Sequence, residues 1–148
     1  MELRFATASD VPLILSFVRG IAEYEKLSHE VETTEQKLHD TLFGEKKYAE
    51  VLLCFEKDNA KGFALFFHNY STFRAKPGIY LEDLFVLPEQ RGKGYGKALL
   101  QKVIETAKER GCGRVEWSVL NWNTPAIDFY RNMGAKPMDE WTVMRVTL

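Results

Sequence analysis

The stretch "PEQRGKGYGKALL" (residues 88–100) decides the fold, because it joins two segments of different periodicity. The segment before it, "IYLEDLFVL" (residues 79–87), is rich in β-branched, aromatic and aliphatic residues over the length of one strand. After it, apolar residues recur at helical spacing, at Ala98, Leu99, Val103, Ile104 and Ala107. The sequence therefore predicts a strand that runs through a turn into the first turn of a helix.

The turn carries alternate glycines and interspersed cations, namely Gly92, Gly94, Gly96, Arg91, Lys93 and Lys97. Glycine adopts positive φ angles and allows another molecule to approach the backbone closely. The start of a helix exposes unpaired N–H groups and the positive end of the helix dipole, which together bind anions such as phosphate. We therefore predict a phosphate-binding loop.

Two common phosphate loops do not fit the spacing. A P-loop needs Gly-x-x-x-x-Gly-Lys-Ser/Thr, but the residue five positions before Gly96 is Arg91. The residue that follows Lys97 is Ala98, so the Ser/Thr is missing as well. A dinucleotide-binding loop needs a third glycine three residues after the second, and Lys97 occupies that position.

The pattern that does fit is Arg91-x-x-Gly94-x-Gly96 preceded by Gln90, which resembles the acyl-CoA pyrophosphate loop of the GNAT superfamily of N-acyltransferases. The resemblance implies acetyl-CoA as co-substrate, held by Gln90, Arg91, Gly92, Lys93, Gly94, Tyr95, Gly96 and Lys97. It also implies that the pantetheine arm pairs with a stretch of strand backbone, that of Leu84, Phe85 and Val86. A backbone N–H there is expected to stabilise the oxyanion formed during transfer.

The composition is that of one small globular domain, which we predict to span residues 1–148. The formal net charge of −1 disfavours a nucleic-acid partner. No apolar run has membrane-spanning length, and "MELRFATASD" lacks signal-peptide features, so we expect no membrane partner and a cytoplasmic location. Cys54 and Cys112 are expected to be free thiols, and the scattered histidines and cysteines predict no metal site.

Apolar periodicity and turn signals predict the element order β-α-α-β-β-β-α-β-α-β. The first helix is expected to be entered through Ser9 or Asp10, and the second through a capping box of Thr33 and Gln36. The last strand is predicted over "WTVMRVTL" (residues 141–148). This order matches the GNAT fold, which implies an α/β (α+β) domain with a mixed, mostly antiparallel central sheet and helices on both faces.

Three separated segments narrow the resemblance. They are "IAEYEKLSHEV" (residues 21–31), "YLEDLFVLPEQRGKGYG" (residues 80–96) and "VLNWNTPAIDFYRNMGA" (residues 119–135). Together they look like the diamine (spermidine/spermine) and thialysine N-acetyltransferases. This resemblance implies direct transfer of an acetyl group from acetyl-CoA to a primary amine of a small cationic substrate, and it implies a homodimer.

The transfer needs a base, because an aliphatic amine with a pKa of about 10.4 is mostly protonated at neutral pH. Glu82 and Asp83 are adjacent in the predicted strand, where successive residues face opposite sides. By the resemblance, Glu82 deprotonates the amine through water, and Asp83 holds the cationic substrate. The alternative interpretation is an exposed charged pair at a strand edge.

Tyr130, on the predicted helix "TPAIDFYRNMG", matches the tyrosine that protonates the departing CoA thiolate in relatives. The pKa of a phenol is about one and a half units above that of a simple thiol, so a phenol can donate a hydrogen bond or a proton to the developing thiolate. The alternative role for Tyr130 is to anchor the helix beside Phe129. Asn123 precedes "TP" as a helix N-cap, and the resemblance adds a contact with the cofactor.

The resemblance places Tyr24, Glu25 and Trp141 at the amine, with Glu25 and Asp83 forming an acidic pocket for a second ammonium group. The alternatives are a solvated Glu25 and a Trp141 in the core of the last strand. Ser71 stands where the polyamine acetyltransferases carry an aspartate. A lysine-like amino acid such as thialysine therefore competes with spermidine or spermine as the acceptor.

Three other interpretations stay open. A noncatalytic acyl-CoA-binding module would lack the acid and the base, whereas Tyr130 and Glu82 are both present. The basic surroundings of Cys112 in "RGCGR" leave an acetyl-cysteine route conceivable. The acceptor can also be a different amine, such as that of a peptide.

Overall fold

The computed structural model describes residues 1–148, which divide into two compact units, Met1–Ser118 and Val119–Leu148. The first unit contains five strands: β1 (Glu2–Phe5), β2 (Glu50–Glu56), β3 (Asn59–Ser71), β4 (Lys76–Val86) and β5 (Val115–Glu116). Its helices are α1 (Val11–Tyr24), α2 (Glu35–Phe43) and α3 (Tyr95–Glu109), and the second unit contains α4 (Thr124–Asn132). The prediction of a single domain over residues 1–148 stays a prediction.

The five strands form one open sheet in the order β1-β2-β3-β4-β5. All neighbouring strands are antiparallel except β4 and β5, which are parallel and are connected through α3. Strand β3 follows β2 through a turn at Lys57 and Asp58, whose φ angles of 50° and 65° suit the twist of a tight hairpin. The predicted mixed, mostly antiparallel sheet is therefore confirmed.

Helices cover both faces of the sheet in the first unit. On one face, α1 and α2 pack against Leu53, Phe63 and Phe85, and the Phe17 ring of α1 stacks on the Phe63 ring with 5.2 Å between centroids. On the other face, α3 packs over β2, β3 and β4 with its buried apolar side chains, which include Leu99, Leu100 and Val103. Because burying one such side chain contributes about 1.5–3 kcal/mol, each helical layer holds the sheet in place.

The helix starts follow local capping chemistry. Helix α1 begins directly after Asp10, as predicted. Helix α2 is capped by Thr34, whose hydroxyl accepts a hydrogen bond from the N–H of Lys37 at 3.1 Å. The predicted capping box of Thr33 and Gln36 is wrong, because Gln36 donates instead to a carboxylate one turn later in the helix.

The predicted last strand is also wrong, since residues 141–148 contain no strand. The apolar side chains of this segment are exposed, by 76% at Val143 and 86% at Val146. Alternation specifies which side chains share a face, but a strand forms only where a neighbouring backbone pairs with it. The strand predicted between the last two helices forms, but it is only two residues long, β5.

Candidate active site

Strand β4 has a free backbone edge on the side of β5. The two parallel strands pair only at Ile79 with Val115 and at Tyr80 with Glu116, whereas β4 stays paired with β3 as far as Val86. The outer edge of residues 81–86 is therefore open to an extended ligand, which adds to a sheet edge as a further strand does. The predicted pantetheine contacts lie on this edge, at Leu84, Phe85 and Val86.

The loop of residues 91–97, called the glycine loop below, connects this edge to the start of α3. Gly92 and Gly94 take φ angles of 78° and 91°, and a Cβ added at either would meet no atom within 4 Å. These glycines therefore provide the backbone conformation and an open surface. The first helical hydrogen bond runs from the N–H of Ala98 to the carbonyl of Gly94. Three earlier amides consequently lack a helical acceptor and can bind an anion, those of Tyr95, Gly96 and Lys97.

The side chains of the loop do not all face the same way. Lys93 and Lys97 are exposed and can reach an anion on the loop, and Lys93 Nζ donates to Gln90 Oε1 at 3.2 Å. Tyr95 is only 8% exposed, so its ring belongs to the core. Of the predicted cofactor contacts, Tyr95 can therefore contribute through its backbone alone.

Arg91 is an exposed loop cation whose side chain contacts residues of two other elements. Its guanidinium carbon lies 4.6 Å from the ring centroid of Tyr24 and 5.6 Å from that of Phe85. Its Nε donates to the carbonyl oxygen of Val86 at 3.0 Å. A cation–π contact contributes about 0.5–1 kcal/mol at an exposed site. Arg91 therefore joins the last residue of α1 to the last residues of β4.

A β-bulge at Glu82 arranges the acidic residues of β4. Asp83 pairs with Leu65 and Leu81 pairs with Phe66, so Glu82 has no residue opposite. Leu65 packs against the apolar core between α1 and the sheet, so its partner Asp83 lies on the face of the sheet that α1 covers. Asp83 is half-buried there, whereas Glu82 is exposed. The predicted alternation of Glu82 and Asp83 assumes a regular strand, and the bulge breaks that regularity.

Asp83 has an unusual protonation equilibrium. Burial, and then the nearby carboxylates of Glu82 and Glu25, raise the pKa of Asp83 to about 7. Burial also raises the pKa of Glu25, which follows the last residue of α1. The structure thus brings together Glu25 and Asp83, the two carboxylates of the predicted acidic pocket. The exposed-pair interpretation describes Glu82 but not Asp83.

Ser71 lies away from these carboxylates. It ends β3 opposite Lys76, it is buried, and its hydroxyl accepts from the N–H of Arg74 at 3.3 Å. Asp83 pairs with Leu65, and Leu65 precedes Ser71 by six residues on β3. At about 3.3 Å per residue, Ser71 is therefore roughly 20 Å from the residue that lies opposite Asp83. Within one chain, Ser71 caps a hairpin turn and does not contact the acidic pocket.

Asn123, Tyr130 and Trp141 belong to the second unit. Asn123 caps α4 as predicted, with its Oδ1 accepting from the N–H of Ala126 at 3.4 Å. The Tyr130 ring lies in α4 with its centroid 5.4 Å from that of Phe129. Trp141 is 75% exposed and lies outside any strand, so its interpretation as a core residue is wrong. The site roles of these three residues stay predictions.

Both cysteines are free thiols, as predicted. Cys112 follows the end of α3, whereas the glycine loop precedes its start. A helix of 15 residues spans about 22 Å, and this separation disfavours an acetyl-cysteine route through Cys112. No group of three or more His, Cys, Asp or Glu side chains is arranged to hold a metal ion. No helix combines the length and the apolar character needed to cross a membrane.

Two contacts at the site lie beyond what motifs and periodicity can find. One is the Arg91–Tyr24 contact, which joins residues distant in sequence. The other is the close approach of α1 to β4, because a Cβ added to Gly20 would lie 2.7 Å from Cζ of Phe85. A glycine inside a helical pattern is the one sequence signal that points to such an approach.

Comparisons with known proteins place these features in a wider context. A model of the acetyltransferase (GNAT) family matches residues 18–135. An L-ornithine N5-acetyltransferase of Arabidopsis thaliana is 34% identical, with 99% of this chain and 84% of the relative covered. A thialysine N-epsilon-acetyltransferase of Bos taurus is 38% identical, with 93% and 85% covered. The structure of an integron cassette protein from the mobile metagenome of V. cholerae matches with a TM-score of 0.82 and 25% identity, with 99% and 91% covered.

Proposed function

Since the chain belongs to the acetyltransferase (GNAT) family and is an acetyl-CoA-dependent N-acetyltransferase, we propose that its acceptor is a primary amine of a small cationic molecule, a thialysine-like amino acid or a polyamine. The observation that carries this proposal is the half-buried Asp83, which shares its face of the sheet with the α1 layer and is influenced by Glu25 and Glu82. Three carboxylates at the open end of β4 suit a substrate with more than one ammonium group. The relatives named for thialysine and ornithine support the same class.

The residues of the first unit fit a CoA derivative. The open edge of residues 81–86 suits the amides of a pantetheine arm. The unpaired amides at the start of α3, together with Lys93 and Lys97, suit a pyrophosphate. Acetyl-CoA supplies the activated thioester, and a backbone N–H of the β4 edge can stabilise the negative charge that develops on its carbonyl oxygen.

Glu82 is the proposed base, acting through water on the ammonium group that will attack. It is exposed at the bulge and therefore accessible to both water and substrate. Asp83 is the proposed partner of the cation. Because a nearby cation favours the ionised carboxylate, binding the amine draws a proton off Asp83, and this costs least above a pH of about 7. Amine affinity is therefore expected to rise as the pH rises through neutrality.

The second unit supplies the remaining proposed roles. Tyr130 is the proposed acid that protonates the CoA thiolate, Asn123 is proposed to contact the cofactor besides capping α4, and Trp141 is proposed to close the acceptor end. In the first unit, Tyr24 and Glu25 are proposed to contact the amine. The homodimer and the cytoplasmic location are likewise proposals from the resemblance. Sedimentation at assay concentration tests the dimer, and a monomer there contradicts it.

The test is release of CoA thiol from acetyl-CoA across an amine panel. The panel holds thialysine, L-ornithine, lysine, putrescine, spermidine, spermine and a peptide amine. We expect turnover on the small polycationic amines, a kcat lowered roughly 100-fold in Glu82→Gln, and a raised amine KM in Asp83→Asn. Turnover of the peptide amine alone would overturn the proposed acceptor class, and an unchanged kcat in Glu82→Gln would overturn the proposed base.

A further inference from the structure

Arg91 connects the glycine loop to the acceptor side of the site. Its guanidinium lies over the Tyr24 and Phe85 rings, and its Nε is bonded to the carbonyl of Val86. Lys93 differs, because its ammonium contacts only Gln90 of the same loop segment among the hydrogen bonds and ion pairs described. Arg91 is therefore the loop cation whose position depends on two other elements of the fold.

The inner end of the Arg91 contact is rigid. Phe85 is 5% exposed, and its ring centroid lies 6.0 Å from that of Phe17. A Cβ at Gly20 would lie 2.7 Å from the Phe85 ring, so the backbone of α1 itself touches that ring. Close-packed interiors have low compressibility and transmit displacement. Movement of Arg91 is therefore resisted on the side of Phe85.

The outer end of the contact is Tyr24, which is 38% exposed. Tyr24 is the last residue of α1 and is followed directly by Glu25, whose carboxylate influences Asp83. The residue that follows Arg91 is Gly92, the first open glycine of the loop. Arg91 thus directly precedes the first open glycine of the loop, and it contacts the ring of Tyr24, the residue before Glu25 of the acidic pocket.

We propose that Arg91 is a positioning residue that couples acetyl-CoA binding to amine binding, by carrying the order of the occupied glycine loop to Tyr24 and Glu25. This inference rests on the proposed function. Once an anion holds the loop, the backbone of Arg91 is fixed, so Tyr24 has less freedom left to lose when the amine binds. Such coupling is reciprocal, and the amine must tighten CoA binding by the same factor.

Calorimetry measures this factor as the ratio of the CoA affinity with a saturating amine acceptor to the CoA affinity without it. CoA and the amine cannot react with each other, because CoA carries no acetyl group. The wild type is expected to bind CoA roughly 5- to 20-fold more tightly in the presence of the amine. Arg91→Lys keeps the charge but loses the planar stacking group, so its ratio is expected to fall to about one. Tyr24→Leu is expected to do the same, and Tyr24→Phe to keep the ratio. The matched control Lys93→Met should weaken CoA binding equally under both conditions.

A wild-type ratio of one, or a wild-type ratio retained in Arg91→Lys, overturns the proposal. A second measurement needs no acceptor. Hydrogen exchange of residues 21–27 is expected to slow when CoA is added to the wild type and to stay unchanged when CoA is added to Arg91→Lys. Equal slowing in both proteins overturns the coupling. Silence of the wild type on every amine of the panel, with exchange behaving as expected, counts instead against the proposed acceptor class.

Discussion

Strand β4 and the segment of residues 141–148 are both rich in β-branched and aromatic residues, yet only β4 forms a strand. In β4, Ile79 and Leu81 are at most 2% exposed, and both are paired with residues of neighbouring strands. In the C-terminal segment, Met144 and Val146 are 87% and 86% exposed. The difference shows that composition and alternation predict where a strand can form, but that the strand forms only when its backbone pairs with residues distant in the sequence.

The residues proposed for the site are also distributed over both units. The cofactor loop and the acidic residues stand on paired and packed elements of the first unit, Met1–Ser118. The proposed acid, Tyr130, and the exposed Trp141 stand in the second unit, Val119–Leu148. Experiments on matched residues from the two units therefore ask how much stability and how much chemistry each unit contributes.

The largest expected difference concerns stability. Phe63 is fully buried in the α1 layer, so Phe63→Ala is expected to cost about 3–5 kcal/mol of the free energy of unfolding. Met144 is exposed, so Met144→Ala is expected to stay within about 0.5 kcal/mol. Urea unfolding measures both values. Similar losses in the two variants would contradict the exposed placement of the C-terminal segment.

Tyr130→Phe tests whether the second unit contributes chemistry. The variant keeps the ring beside Phe129 and removes only the proposed proton donor. We expect kcat to fall roughly 100-fold with little change in unfolding temperature. Tyr48→Phe, at a residue 61% exposed, is the matched control and should leave kcat unchanged. An unaffected kcat in Tyr130→Phe would leave the ring with an anchoring role alone.

Asp83→Asn tests the buried carboxyl through the pH dependence of stability. Well below pH 3.8, Asp83 is protonated in both the folded and the unfolded state, and the variant should match the wild type. Between the unfolded pKa of 3.8 and the folded pKa of about 7, the unfolded chain releases its proton first, so the wild type loses stability as the pH rises. Above pH 7 the variant is expected to be more stable by on the order of 2 kcal/mol, a figure reduced for partial exposure.

The matched control for this pH series is Asp139→Asn, at an exposed position of the second unit. Thermal unfolding from pH 4 to pH 8 should show no pH-dependent gain for that variant. A gain for Asp83→Asn that is constant over the whole range would contradict the raised pKa of Asp83.

The smallest expected effect concerns the glycine loop. Gly94 has a φ of 91° with open space around it, so Gly94→Val strains the backbone. The strain and the bulkier loop surface are expected to raise the acetyl-CoA KM roughly 10-fold. Gly111 has a φ of 73°, equally open space, and a position at the far end of α3. Gly111→Val should therefore show a similar loss of stability and an unchanged KM, and equal KM values in both variants would contradict the assigned role of the loop.

The sequence predicted the features that local chemistry controls. The strand-to-helix turn with its glycines, the Asn123 cap and the order of the first nine elements follow from spacing and capping rules. The contact of Arg91 with Tyr24, the burial of Asp83 and the missing last strand did not follow, because each depends on residues far away in the chain. The bulge at Glu82 was not predicted for a related reason, since a bulge is a property of two paired strands and not of one strand alone.

That bulge makes Glu82 a residue whose removal leaves the faces of β4 unchanged. Leu81 already lies opposite Phe66 and Asp83 opposite Leu65, so a chain without Glu82 would pair regularly and keep Asp83 on the α1 side of the sheet. A length change in β4 away from the bulge would instead turn the later residues to the opposite face, since side chains alternate with a period of two. Deletion of Glu82 should therefore preserve the fold and remove the proposed base, whereas a deletion nearer the start of β4 should abolish folding. The exposed segment of residues 141–148 should tolerate both insertions and deletions.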